Sequence, residues 1–74
     1  MNTKYLVFSS VTYALRSMSV LQKHGISSRL EKVKNISAIG GCGYVLAISN
    51  AIFDTAYSII SREGIRIIDV LDGQ

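Results

Sequence analysis

The sequence predicts an α+β domain in which four strands form one sheet and two helices cover a single face of it. Short apolar runs typical of strands alternate with segments of helical periodicity, and the two halves of the chain resemble each other. "FSSVTYALRSMSVLQKHGI" (8–26) parallels "ISNAIFDTAYSIISREGI" (48–65) at an offset of about 40 residues. We therefore interpret residues 1–74 as a single domain built from two β-α-β units.

The first half predicts a strand, a helix and a second strand. "KYLVFSS" is almost continuously apolar, which indicates a strand at about 4–9. Apolar residues then recur at helical spacing, and Gly25 supplies a left-handed end to a helix at about 11–24. "ISSRLEKV" mixes apolar and polar residues and predicts an edge strand at about 26–33. The apolar residues at helical spacing are Val11, Ala14, Leu15, Met18 and Leu21.

The second half repeats this order after a long, glycine-rich connection, "KNISAIGGCG". Connections of that length are disproportionately functional. Ser49 or Asn50 can cap the second helix, and Gly64 can end it. The buried stripe predicted for that helix consists of Ile52, Phe53, Ala56, Ile59 and Ile60. The predicted elements are a connection at 34–43, a strand at 44–48, a helix at 50–63 and a strand at 65–71.

Two β-α-β units with strands one and three at the centre predict a ferredoxin-like βαββαβ two-layer sandwich. Right-handed crossovers then give an antiparallel sheet of order 4-1-3-2 with both helices on one face. Because side chains alternate across a strand, Tyr5 and Val7 oppose Leu6, and Val45 opposes Leu46. Apolar groups therefore remain on the open face of the sheet, and we expect a homodimer or another sheet-to-sheet contact there.

Composition excludes several classes of function. No stretch of about 18 apolar residues is present to span a bilayer, and "MNTKYLVFSS" lacks the features of a signal peptide. We therefore expect a soluble cytoplasmic domain without membrane contact. The single cysteine cannot form an intramolecular disulfide, and with one histidine the chain cannot supply a tetrahedral Cys/His zinc site by itself. We expect no metal and no cofactor.

The net charge of +3 conceals an asymmetry between the halves of the chain. Residues 1–37 carry six bases and one acid, a net +5, whereas residues 38–74 carry two bases and four acids, a net −2. A basic half can attract an anionic partner. The bases are spread along the chain, however, and no aromatic-basic motif accompanies them, so we do not expect nucleic-acid binding.

Cys42 is the candidate functional residue because glycines surround it and its predicted position favours a thiolate. In an antiparallel pair, the start of strand three lies beside the end of strand one, which places Cys42 near Ser9 and Ser10. Those serines open the first helix, whose free N–H groups and positive dipole end favour an anion. Lys32 and Lys34 at the end of strand two would strengthen the effect.

The glycines on both sides of the cysteine leave its sulfur unshielded and let the backbone turn or donate N–H groups to an anion. This arrangement suits a nucleophilic thiol that accepts and passes on a sulfur or selenium atom. The glycines concerned are Gly40, Gly41 and Gly43.

The alternative is a structural cysteine, because free cysteine is among the most buried residue types and glycines beside it can simply build a turn. The domain would then be a small dimeric interaction or ligand-binding module. His24 belongs to the opposite end of the sheet, so a Cys-His dyad is disfavoured, and we expect this histidine to contact the last carbonyls of helix one. The four tyrosines, Tyr5, Tyr13, Tyr44 and Tyr57, are interpreted as core or interface residues.

The chain resembles the small bacterial domains described as putative selenium/sulfur carrier protein-like. Members begin with a strand and a phrase of the type F-x-S-x-x-x-A-L-x-x-E-x-x-L-x-x-x-G-I, and continue to a loop of the type P-R-x-L-S-S-x-C-G before an apolar strand. The first phrase is matched by Phe8, Ser10, Ala14, Leu15, Leu21, Gly25 and Ile26, and the loop by Ile36, Ser37, Cys42 and Gly43. The chain departs from the pattern in having no proline, with Lys32 to Asn35 where the Pro-Arg pair would stand, and the segment from Ser37 to Cys42 is longer.

The resemblance implies a persulfide or selenium carrier that uses the loop cysteine and is not a turnover enzyme by itself. Its implied partners are a cysteine desulfurase or another sulfurtransferase as donor, and a downstream acceptor protein. If the family's arginine binds an anion, Lys34 would supply the positive charge in this chain but could not make the bidentate hydrogen bonds of an arginine.

Overall fold

The computed structural model describes residues 3–33 and 43–72. Its four strands form one sheet of order β2-β3-β1-β4, which confirms the predicted order and the ferredoxin-like α+β fold. Every neighbouring pair of strands is antiparallel. The elements are β1 (Thr3–Val7), α1 (Val11–Lys23), β2 (Arg29–Lys32), β3 (Tyr44–Ser49), α2 (Phe53–Arg62) and β4 (Asp69–Asp72), with a 3-10 turn at Asn50–Ile52 before α2.

Helix α1 is capped at both ends by residues close to it in sequence. The Ser10 side chain accepts a hydrogen bond of 3.3 Å from the Tyr13 backbone N–H, which makes Ser10 the N-cap. At the other end, Gly25 has a φ of 75°. The Ile26 N–H donates back to the Leu21 carbonyl at 2.9 Å, as in a Schellman motif. Gly25 therefore ends the helix as the sequence predicts.

Helix α2 ends like α1 but begins differently. Gly64 has a φ of 77°, and the Ile65 N–H donates to the Ile60 carbonyl at 3.4 Å, which repeats the cap of α1. The prediction that Ser49 or Asn50 caps α2 is wrong, because the Ser49 side chain makes no capping hydrogen bond and Asn50 lies in the 3-10 turn. The α-helical part therefore begins three residues later than expected.

The two edge strands are shorter than the sequence indicates. β2 covers Arg29–Lys32 and β4 covers Asp69–Asp72, whereas the apolar patterns predicted starts at 26 and 65. Ile26 and Ile65 are the residues that follow the two glycine caps, and both are buried in the core. Their apolar side chains pack in the core just after the helix caps and are not part of the strands, which begin at Arg29 and Asp69.

The main core lies between the helices and the sheet. Sheet, helices and cap residues contribute to it together, and burial of such apolar surface is the dominant stabilising term in folding. Val11, Leu15 and Ile52 share the helical periodicity but are exposed, so the buried stripes are narrower than the apolar pattern. The buried core residues are Leu6, Phe8, Ala14, Leu21, Ile26, Leu46, Ile48, Phe53, Ala56, Ile60 and Ile65.

A second, smaller apolar cluster lies on the opposite face of the sheet. Val7 and Val45 are fully buried there, and they pair directly across β1 and β3. The predicted alternation is confirmed, since Leu6 and Leu46 join the helix-side core instead. The residues packed around the two valines are only partly buried: Tyr5, Val33, Ile68 and Leu71.

Candidate functional site

The predicted site residues that fall within 3–33 and 43–72 lie at one end of the sheet. Val7 pairs with Val45 near the end of β1 and the start of β3. Ser9 follows Val7 by two residues and Gly43 precedes Val45 by two, so both leave the sheet at this end. The start of α1 and the start of β3 therefore meet as the antiparallel pairing predicts.

The end of β2 completes this corner of the molecule. Lys32 pairs with Tyr44, and the next residue, Val33, donates its N–H to the Gly43 carbonyl at 2.8 Å. β2 therefore holds the backbone at the point where β3 begins. We call the described group Ser9, Ser10, Lys32 and Gly43 the sheet-end corner. Cys42, Gly40, Gly41 and Lys34 lie outside the described residues, and their roles stay predictions.

Gly43 is required at this corner for its backbone conformation. Its φ is 91°, a value that residues with a side chain rarely adopt. Among residues 3–33 and 43–72, no atom lies within 4 Å of a Cβ added there, so these residues leave space for a side chain and the backbone angle alone favours glycine. The hydrogen bond from Val33 fixes the Gly43 carbonyl, and together these features set the direction of the chain at the start of β3.

The first turn of α1 presents a positive dipole end to the corner. It contains no acidic residue, so no carboxylate of the helix itself offsets this partial charge. Ser9 is exposed, and Ser10 is half-buried while its side chain is used as the N-cap. The corner therefore combines a helix start with an exposed serine, which is a setting favourable to an anionic group.

Lys32 adds a full positive charge to the same corner. It is exposed and lies on the helix side of β2, because it pairs with Tyr44 and alternates with Glu31. Glu31 is engaged elsewhere: its Oε2 accepts from the Arg29 guanidinium at 2.6 and 2.9 Å. The one acid of β2 is thus paired with an arginine on the other face of the strand.

His24 lies at the opposite end of α1 from the corner. Its Nδ1 is 3.0 Å from the Val20 carbonyl oxygen, and the residue forms the C-cap of the helix. The expected contact with the last carbonyls of α1 is confirmed. This position leaves His24 far from the start of β3, as the topology predicts.

A pocket at the beginning of β2 is a feature for which the sequence contains no signal. Its volume is about 480 Å³, and it lies between the last turns of α1 and the connection that follows. The Ser28 Oγ is buried in that connection without a hydrogen-bond partner in the part of the chain that the structure describes. The pocket is at the far end of β2 from Gly43, so it is separate from the sheet-end corner. Its lining residues are Met18, Gln22, Gly25, Ile26, Ser27 and Ser28.

Among residues 3–33 and 43–72, no three His, Cys, Asp or Glu side chains come together as a metal site would require. In the same ranges, neither helix has the length and apolarity needed to cross a bilayer.

Comparison with known proteins gives one match. A family model with the description "Putative Se/S carrier protein-like" matches residues 3–71, nearly the whole chain. No curated protein and no solved structure matches this chain. The match spans both β-α-β units and the connection between them.

Proposed function

We propose that this chain, which belongs to the putative Se/S carrier protein-like family, carries a sulfur or selenium atom as a persulfide or selenium adduct of Cys42. The family match over residues 3–71 carries the proposal, because the chain has only one cysteine that could hold the atom. The carrier is not an enzyme by itself, since it holds the atom between two partner proteins.

The sheet-end corner supports the choice of Cys42. Cys42 directly precedes Gly43 in the sequence, and the Gly43 carbonyl accepts a hydrogen bond from the Val33 N–H. The start of α1 and residue Lys32 lie at the same end of the sheet. Both favour a thiolate over a thiol, and the thiolate is the nucleophile.

The proposed transfer needs no external oxidant. The Cys42 thiolate attacks the terminal sulfur of a donor persulfide, R–S–SH. The S–S bond of the donor breaks, R–S⁻ leaves, and a new S–S bond joins that sulfur to Cys42 as Cys42–S–SH. The acceptor's thiolate later attacks the same terminal sulfur and restores the Cys42 thiolate. A cysteine desulfurase or another sulfurtransferase is the proposed donor, and a cytoplasmic protein thiol is the proposed acceptor.

A small dimeric interaction module with a structural cysteine is the second candidate. The apolar cluster on the open face favours it, because Tyr5, Val33, Ile68 and Leu71 are only partly buried there. A second copy of the chain covering these residues would bury more apolar surface. Dimerisation is compatible with the carrier function, whereas a structural Cys42 is not.

Sulfur loading followed by release tests the carrier function. The full chain is charged with inorganic polysulfide, and its mass is then measured before and after addition of an excess of small thiol. We expect one added sulfur on the wild-type chain, lost to the thiol, and none on Cys42→Ser. A Cys42→Ser chain that gains the same sulfur would refute the proposal. The circular dichroism spectrum of the variant serves as the control for folding.

A further inference from the structure

We propose that the exposed face of α1 docks the protein that supplies sulfur to Cys42, and that this donor presents an acidic surface around an apolar contact. The inference rests on the carrier function proposed above and adds the surface chemistry of the partner. We call the docking surface the α1 face. It consists of Val11, Thr12, Leu15, Arg16, Ser19 and Lys23, all of which are exposed.

The α1 face has an apolar contact next to the sheet-end corner. Val11 is 36% exposed and Leu15 is 45% exposed, although both are large aliphatic residues. Residues four apart lie on the same side of a helix, so the two side chains adjoin. Ala14 and Leu21 supply the buried side of α1 instead. The exposed pair contributes little to the core and is available to a partner.

The charges of the α1 face have one sign. The helix "VTYALRSMSVLQK" contains Arg16 and Lys23 and no acid. Helix α2 occupies the equivalent place in the second half of the chain, yet it carries Asp54 in its first turn. The fold therefore does not impose an acid-free helix. A surface of one sign attracts a partner of the opposite sign and raises the rate of encounter.

A protein fits this surface better than a nucleic acid does. Adjacent aliphatic side chains suit the apolar centre of a protein interface, where charged residues are depleted and the rim is polar. At 13 residues and 1.5 Å per residue, α1 is about 20 Å long, enough for a small interface of the transient class. Val11 directly follows the N-cap Ser10, so a partner on this face sits beside the corner.

The test compares two donors of sulfur on the same variants. A cysteine desulfurase from the same cell, charged with L-cysteine, provides the protein donor, and inorganic polysulfide provides the small one. Arg16→Glu should lower the second-order rate of transfer from the desulfurase by about tenfold at low salt, with a smaller effect at high salt. Leu15→Ala should lower the same rate by about threefold or more. Loading by polysulfide should stay unchanged in both.

Helix α2 provides the matched controls. Arg62→Glu makes the same charge reversal on an exposed residue of α2, and Tyr57→Ala removes an exposed aromatic side chain that is 40% accessible. Both changes should leave transfer from the desulfurase at the wild-type rate. Equal losses on α1 and α2 would show a general effect of charge or exposure and would overturn the assignment to the α1 face.

The remaining outcomes separate this inference from the carrier function. If polysulfide loads Cys42 and the α1 variants accept sulfur from the desulfurase as fast as wild type, the docking surface is wrong and the carrier stands. Loading by polysulfide with no transfer from the desulfurase likewise overturns the docking surface and leaves the carrier standing. If Arg16→Glu abolishes binding of a single-stranded oligonucleotide and leaves transfer unchanged, the α1 face binds nucleic acid and the inference is overturned. If neither donor loads Cys42, both proposals fail.

Discussion

Ser17 is the one polar residue among the fully buried side chains in the described part of the chain. It lies on the buried stripe of α1 together with Ala14 and Leu21. Its Oγ has no hydrogen-bond partner among residues 3–33 and 43–72. An unpaired buried hydroxyl carries a desolvation cost of about 1–3 kcal/mol. The residue therefore weakens the core at a position where a methyl group would fit.

We expect Ser17→Ala to raise the free energy of unfolding by about 1 kcal/mol, because it removes the unpaired hydroxyl and favours the helix. Urea denaturation measures the change. Ser19→Ala on the exposed side of the same helix is the control, and it should give only the helix-propensity gain of about 0.5 kcal/mol. A Ser17→Ala chain less stable than wild type would mean that the hydroxyl has a partner.

Lys32 is the charged residue of the sheet-end corner, and its effect on the reactivity of the Cys42 thiol can be measured. Lys32→Gln should slow alkylation of the native thiol at neutral pH by about twofold at low salt, because one solvent-screened positive charge no longer favours the thiolate. The effect should fade at high salt. Lys23→Gln, at the other end of α1, should leave the rate unchanged. Equal rates for Lys32→Gln and wild type would remove Lys32 from the site.

At the scale of elements, the two helices show which local signals determine structure. Gly25 and Gly64 predict the helix ends correctly because the left-handed conformation they adopt is close to specific for glycine. The helix starts are less determined, since serine and asparagine are common both in caps and in turns. Ser10 caps α1, whereas Ser49 is the last residue of β3 and caps nothing through its side chain.

This difference gives a paired prediction for the two serines. Ser10→Ala should lower the free energy of unfolding by about 1 kcal/mol, because the Tyr13 N–H loses its acceptor. Ser49→Ala should change it by less than about 0.5 kcal/mol, since no capping bond is lost. Thermal unfolding of both variants gives the comparison. Equal losses would show that the Ser10 hydrogen bond contributes nothing.

The strand starts show a limit of apolar patterns. Ile26 and Ile65 are β-branched and apolar, so they extend the predicted strands, yet they follow helix caps and pack in the core. Val11 and Leu15 likewise fit the helical period but are exposed, because periodicity gives the direction of a face and not the width of the contact on it. Burial at the edge of a stripe depends on tertiary packing, which a single sequence does not contain.

At the scale of the whole molecule, the strand order follows from the sequence because two β-α-β repeats and right-handed crossovers leave few topologies. The corner at the end of β1 and the start of β3 follows from that order. The pocket beside Met18 could not be predicted, since its volume arises from how the connection after α1 packs. Two residues of the sheet-end corner could be predicted from the sequence: Lys32 at the end of an edge strand and Gly43 before a central strand.

We expect the chain to self-associate through the open face of the sheet, where apolar side chains are only partly buried. Sedimentation at rising protein concentration should show a dimer, and Leu71→Asp should shift it to a monomer by placing a charge in the contact. Leu71 is only partly buried and lies at the sheet edge in β4, so the fold should tolerate the change. Leu15→Asp on the helix layer is the control and should leave the dimer intact. A wild-type chain that stays monomeric would show that the open face does not mediate self-association.

The carrier function depends on Cys42 being a reactive thiolate in the folded chain. The decisive experiment is the rate of alkylation of the native chain by iodoacetamide from about pH 5 to 10, followed by intact mass. We predict an apparent pKa below the ordinary cysteine value of about 8.5 and full labelling without denaturant. A thiol that reacts only after the chain is unfolded would show a buried structural cysteine and would contradict the carrier function.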